Sequence, residues 1–281
     1  MASRATLNPI AESNNEGFKI KQLTGIGFGC NIEGITPQNI HSQVEFIKEN
    51  LSKYKVVVID GLEDLDTREY LKLAENFGRP EYEPHPQWDD VDGIKGVKII
   101  QPSKFGKYPQ GAAVQDSWHT DGPPREKTQW FTFLYGHEVP EVGYRDTLFA
   151  DMEAAYDRQS DKMKQFLNSL DAVNSWDKNA LKYWKAEPVV HPVIMTDPDN
   201  GRKSIYVSPN YTKYIRGLRK EESQLVLNYL YSQSKIPELQ LRVSWKKGSL
   251  VIFDTEKTQH YIVRDYNYDR ILHRVMVNTG R

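Results

Sequence analysis

From residue 97 to the C-terminal end the chain is a succession of short β-prone runs, and this pattern limits what it can fold into more than any other feature. The runs cover residues 97–100, 130–135, 147–150, 189–195, 205–207, 241–245, 249–253, 261–263 and 272–277. Each is rich in β-branched or aromatic residues and bounded by turn signals such as Asp199-Asn200-Gly201. So many short strands bury their apolar faces only by closing into a sandwich or barrel. Helical periodicity is confined to residues 67–77, 161–170 and 220–232, the last placing Leu225, Val226, Tyr229 and Leu230 on one stripe. Residues 55–60 (KVVVID) read as an earlier strand. The expected architecture is mainly β, an antiparallel core with flanking helices.

Bulk properties narrow the function classes. A chain of 281 residues is expected to form one domain over 18–281, behind a polar, flexible tail over 1–17. With Lys plus Arg at 37 and Asp plus Glu at 38, no basic field exists to hold nucleic acid. Cys30 is the sole cysteine, which excludes an internal disulfide or a cysteine-built cluster within one chain and fits a reducing cytoplasm. No leader is apparent and no run approaches the roughly 18 apolar residues of a membrane span, so a cytoplasmic protein without membrane contact is expected. The sequence leaves self-association into a homo-oligomer open.

The sharpest local feature is Trp118-His119-Thr120-Asp121. In an extended segment residues i and i+2 share a face, so the His119 imidazole and the Asp121 carboxylate can reach one ion. With 7 histidines and 38 acids in 281 residues, such a pair arises about once by chance, so alone it leaves a surface pair open. His260 leaves the apolar run 250–253 and could add a third ligand from a neighbouring strand. Two histidines and one carboxylate on one face of an ion form the facial triad that leaves positions open for oxygen chemistry at Fe(II). Downstream, Arg270 and Arg274 fall on one face of a strand and could both point into the core, where guanidinium groups need anions. Surface pairing with Asp265 or Asp269 is the competing reading.

Together these residues carry a resemblance. The chain resembles the taurine dioxygenase family of iron(II)- and 2-oxoglutarate-dependent oxygenases, which includes the dichlorophenoxyacetate dioxygenases. The matching segments run in order: residues 25–29, the 55–60 strand, Phe77-Gly78-Arg79-Pro80, Trp118-His119-Thr120-Asp121 and Glu138-Val139-Pro140. They continue through Asp146-Thr147-Leu148-Phe149, Ala154-Ala155-Tyr156, His191-Pro192-Val193, Thr258-Gln259-His260 and residues 270–274. The resemblance implies a double-stranded β-helix (a jelly-roll, cupin-like core) with His119, Asp121 and His260 as iron ligands. It also implies that Arg270, assisted by Thr147, grips the distal carboxylate of 2-oxoglutarate, and that Arg274 holds the anionic head of a small substrate. Gln115 stands where the taurine enzyme has a substrate-binding asparagine.

Departures from the family pattern are equally informative. Gly143-Tyr144-Arg145-Asp146-Thr147 is longer and bulkier than the usual Gly-Gly-Asp-Thr, and Gly122-Pro123-Pro124-Arg125 replaces apolar or hydroxyl residues. Residues 81–87 do not cleanly reproduce the taurine enzyme's histidine and tyrosine, so taurine itself is not the expected substrate. The expected reaction uses O2 and releases succinate and carbon dioxide while a substrate C–H bond is hydroxylated, with desaturation or ring formation as alternatives. Asp121 fills the third ligand position, so halogenation is not expected. The competing classes are a zinc hydrolase on the same ligands, which has no use for Arg270, and a non-catalytic binding barrel in which His119 and His260 merely line a pocket. Loops 122–125 and 83–92 are where substrate specificity is expected.

Overall fold

The computed structural model describes residues 12–15, 17–83, 88–101, 118–139, 144–176, 186–263 and 270–280. The chain opens with β1 (Glu12–Asn15), β2 (Phe18–Gln22), β3 (Cys30–Glu33), α1 (Val44–Tyr54), β4 (Val56–Ile59) and α2 (Thr67–Glu75). Short β5 (Arg79–Pro80) and β6 (Asp90–Val91) lead to β7 (Ile94–Ile100), β8 (Trp130–Glu138) and β9 (Thr147–Asp151). Helices α3 (Met152–Asp157) and α4 (Asp161–Leu167) precede β10 (Asp171–Asn174), β11 (Val189–Pro192), β12 (Ile194–Thr196), β13 (Lys203–Ile205) and β14 (Thr212–Ile215). After α5 (Lys220–Gln233) come β15 (Gln240–Val243), β16 (Leu250–Asp254), β17 (Thr258–Ile262) and β18 (Ile271–Asn278).

Two sheets face each other. The larger runs β1-β2-β3-β4-β16-β8-β18-β7-β6 with β5 paired to β18, and the smaller is β15-β9-β17. Pairing is antiparallel throughout these two sheets except between β3 and β4, where α1 lies in the crossover that a parallel pair requires. One side of the large sheet, including Val57, Ile59, Phe133, Tyr135, Leu250 and Ile252, packs against α1 and α2. The opposite side, Val56, Val58, Leu134, Val251, Phe253 and Leu272, closes on Phe149, Leu241, Val243 and Trp245 from the smaller sheet and its β15 extension. Burial on both faces explains why β4 (VVVI) and the first four residues of β16 (LVIF) are continuously apolar rather than alternating. Each large side chain so buried contributes roughly 1.5–3 kcal/mol, which makes the inner layer a rigid wall for whatever lines it.

Local differences from the sequence reading have physical causes. Glu12–Asn15, assigned above to the loose tail, pairs with β2 as a hairpin strand because β2 offers an edge in matching register. The run 189–195 is two strands: β11 ends at Pro192, and Val193 turns its N–H to Leu170 O at 2.9 Å before β12 pairs with β13. The expected stripe on α5 is displaced. Leu225 is 71% exposed, and the buried face is Ser223, Leu227 and Leu230, set by the Ser223 hydroxyl accepting the Ile215 N–H at 2.8 Å. No helix among the described residues is long and apolar enough to cross a membrane.

Candidate functional site

β16 belongs to the large sheet and β17 to the small one, so the turn between them is a corner of the barrel. That turn is braced at several points. Thr255 Oγ1 donates to Trp130 O at 2.9 Å, Thr258 Oγ1 to Asp254 O at 2.6 Å and Ser204 Oγ to Glu256 O at 2.8 Å. Lys257 adds ion pairs to Asp197 at 2.7 Å and Asp254 at 3.0 Å. His260 emerges from this corner opposite Phe149 in register, with Phe149 and Phe253 rings 6.1 and 5.2 Å from its own.

The segment carrying His119 is laid against β17 by a reciprocal backbone pair. His119 N donates to His260 O at 3.0 Å, and His260 N donates to His119 O at 2.7 Å. Between the two ligands of that segment, Thr120 points the other way and donates its hydroxyl to Thr255 O at 2.5 Å, so both strands share one anchor. The alternation predicted for His119 and Asp121 is therefore what sets the geometry. The His119 and His260 rings lie 4.1 Å apart and His119 Nε2 is 3.8 Å from Asp121 Oδ1. One ligand atom from each of His119, Asp121 and His260 lies within 4.8 Å of the others, and all three residues are buried.

The charges suit a cation. Burial alone would raise the Asp121 carboxyl, but His260, Arg274, His119 and Arg125 outweigh it and hold the group at about 2, so it is a carboxylate at neutral pH. Burial, reinforced by the neighbouring His119, pushes His260 down to about 3, which keeps its imidazole neutral with a lone pair to give. Two imidazoles and one carboxylate are the ligand set of Fe(II) facial-triad sites, so the residues present fit that ion.

Beside the triad, Arg270 is 2% exposed and its Nη1 donates to Arg145 O, while Trp245 lies under its guanidinium at 5.2 Å. Trp245 Nε1 in turn donates to Thr147 Oγ1 at 3.0 Å, which gathers Thr147 and Arg270 around one indole. Burial and then Arg145 push the Arg270 guanidinium down to about 9, leaving it charged at pH 7. The acid acting on it, Asp146, is engaged by Arg242 at 2.5 Å and Ser244 at 3.1 Å, and Arg270 Nε is buried without a partner among the described residues. A buried cation in that condition fits a carboxylate co-substrate. The longer loop before Thr147 contributes here, since Arg145, whose carbonyl meets Arg270, takes a left-handed φ of 55°.

Arg274, 6% exposed, points inward in register with Leu134 and Lys98. Its Nη1 is 3.5 Å from Asp121 Oδ2, and its guanidinium lies 3.9 Å from the Trp88 ring centre. Both arginines thus face the core, as strand parity predicts. Gln115 lies outside the described residues, as do Asp265 and Asp269. Trp88, Trp245 and the Arg125–Glu81 pair escaped sequence reasoning. Trp88 and Arg125 do lie in the loops 83–92 and 122–125 expected to carry specificity, and Trp245 shares strand parity with Leu241 and Val243 on the inner face.

Comparison with known proteins agrees with this arrangement. A family model for the taurine catabolism dioxygenase TauD, TfdA family, matches residues 19–276. An alkylsulfatase from Acinetobacter baylyi is 31% identical over 285 residues, covering 94% of this chain and 86% of the relative. An alpha-ketoglutarate-dependent sulfonate dioxygenase from Saccharomyces cerevisiae is 31% identical over 274 residues, covering 92% of this chain but only 66% of that longer protein. The crystal structure of a taurine dioxygenase from Burkholderia xenovorans matches with a TM-score of 0.78 at 25% identity, covering 92% of this chain and 90% of that one. The facing sheets are accordingly a double-stranded β-helix of the jelly-roll, cupin-like kind. The chain belongs to the TauD, TfdA family, and it is an iron(II)- and 2-oxoglutarate-dependent dioxygenase.

Proposed function

We propose that this chain, as one catalytic domain over residues 18–281, hydroxylates a C–H bond of a small organic anion. In this reading His119, Asp121 and His260 hold the iron, Arg270 with Thr147 seats 2-oxoglutarate, and Arg274 takes the anionic head of the substrate. The observation that carries it is the convergence of the three ligand atoms within 4.8 Å at the buried corner of the barrel. Bound iron with 2-oxoglutarate supplies oxygen activation, the co-substrate leaving as succinate and carbon dioxide.

The chain's own residues bind and orient. Because Trp245 Nε1 donates to Thr147 Oγ1, the threonine hydroxyl keeps its proton to donate towards a carboxylate held by Arg270. Phe149 and Phe253 flank His260 and exclude water from that side. A sulfate, sulfonate or carboxylate offers Arg274 a bidentate partner, and the names of the Acinetobacter and yeast relatives favour the sulfur oxyanions.

The test is succinate release from 2-oxoglutarate with a panel of alkyl sulfates, alkyl sulfonates, carboxylates and neutral analogues, with mass analysis for the gain of one oxygen. Coupled release is expected with the anions, and Arg274→Met is expected to lose it. Equal coupling with neutral analogues, or an unaffected Arg274→Met variant, contradicts the assignment.

A further inference from the structure

Four residues beyond Asp121, Arg125 lies half-buried in the loop that the family pattern does not match. Its Nε and Nη2 donate to Glu81 Oε1 at 2.9 and 2.6 Å, and its Nη1 donates to the backbone carbonyl of Asp121 at 2.6 Å. Trp130 and Trp176 lie 5.3 and 5.0 Å from the guanidinium. The backbone of Arg125 is tied as well. Its N–H closes a turn onto Gly122 O at 3.0 Å, and its carbonyl accepts from His191 Nε2 at 2.7 Å. Glu81 in turn is fixed to the strand that bears Arg274, since its N–H donates to Met276 O at 2.9 Å.

A continuous path therefore runs from β18 through Glu81 and Arg125 to the peptide of Asp121. The Asp121 carboxylate spans two neighbours, with Oδ1 3.8 Å from His119 Nε2 and Oδ2 3.5 Å from Arg274 Nη1. The backbone carbonyl next to its Cα decides how the side chain is aimed, and Arg125 holds that carbonyl. We propose that Arg125, fixed by Glu81, is a positioning residue that keeps one Asp121 carboxylate oxygen turned towards His119 while the other stays on Arg274. This rests on the iron assignment proposed above. With Arg125 cut, the Asp121 peptide turns, both carboxylate oxygens go to Arg274, and the chain loses a metal ligand.

The test is Co(II) titration of the full chain, read from the ligand-field absorption, alongside the charge-transfer band of anaerobic Fe(II) with 2-oxoglutarate. Groups that orient metal ligands from behind are worth about 10- to 100-fold in affinity. Arg125→Met is expected to weaken Co(II) binding by that factor with its circular dichroism unchanged, and Arg125→Lys, which keeps the charge without the fork, to recover part of it. Glu81→Gln, which preserves shape, is expected to weaken binding less and decides the matter should Arg125→Met fail to fold. Wild-type affinity in Arg125→Met, or in Glu81→Gln where that variant decides, overturns the positioning role alone. A wild-type chain that binds no Co(II) overturns the metal assignment and this role with it.

Discussion

Gly122 follows the Asp121 ligand, and the space around it makes a quantitative prediction. A Cβ at this position would lie 2.4 Å from Tyr206 Oη, whereas the next atoms, Tyr206 Cζ and Thr128 O, stand at 3.5 and 3.6 Å. A comfortable contact needs about 3.5 Å, so one oxygen is too close by roughly 1 Å. Tyr206 cannot swing aside, being 1% exposed with its ring against His191 at 5.9 Å. Gly122→Ala should therefore cost about 1–3 kcal/mol of overpacking. Tyr206→Phe removes the offending oxygen, which is buried without a partner among the described residues, so by itself it should be neutral or stabilising. In the double variant the closest contact becomes the ordinary 3.5 Å one. Urea unfolding of the four proteins should show Gly122→Ala costing about 1–3 kcal/mol beside tyrosine and close to nothing in the Tyr206→Phe background. An additive cycle would refute the packing argument.

Other expectations follow from the same geometry. Arg270→Met should raise the KM for 2-oxoglutarate at least tenfold while Co(II) binding persists, measurable by succinate formation against co-substrate concentration; an unchanged KM would remove Arg270 from the co-substrate site. His273 is pushed down from 6.5 to about 4, by burial first and then by His137, whose ring stacks on it at 4.3 Å. The unfolded chain then binds the extra proton first, so stability should fall as pH drops from 6.5 towards 4, with no contribution from this group above that window. His273→Phe should flatten that limb of the urea midpoint against pH, and an unaltered slope would show that the histidine does not drive it.

Much of the site was legible because strand parity is a strong rule. His119 with Asp121, and Arg270 with Arg274, were placed on common faces by alternation alone, and the structure buries all four. Parity could not say that β17 would bring His260 beside His119, because that pairing depends on a corner between two sheets; its place after a buried strand made it a candidate, and the resemblance singled it out. The Arg125–Glu81 contact joins residues 44 apart with no shared period, so only the folded chain reveals it. α1 lies outside the expected helices although Val44, Ile47, Leu51 and Tyr54 repeat at helical spacing, because Gln43 before it makes no side-chain cap and leaves its start unmarked. On α5 the period was right and the phase wrong. A hydroxyl, Ser223, faces inward to cap a neighbouring strand's N–H, and apolar Leu225 faces out.

The most direct test of the iron assignment is anaerobic titration of the wild-type chain and of Asp121→Ala with Fe(II) in the presence of 2-oxoglutarate. One equivalent of iron should bring up a weak visible charge-transfer band in the wild type and little or none in the variant. A band of equal intensity in Asp121→Ala, or none in the wild type, would contradict a site built on His119, Asp121 and His260.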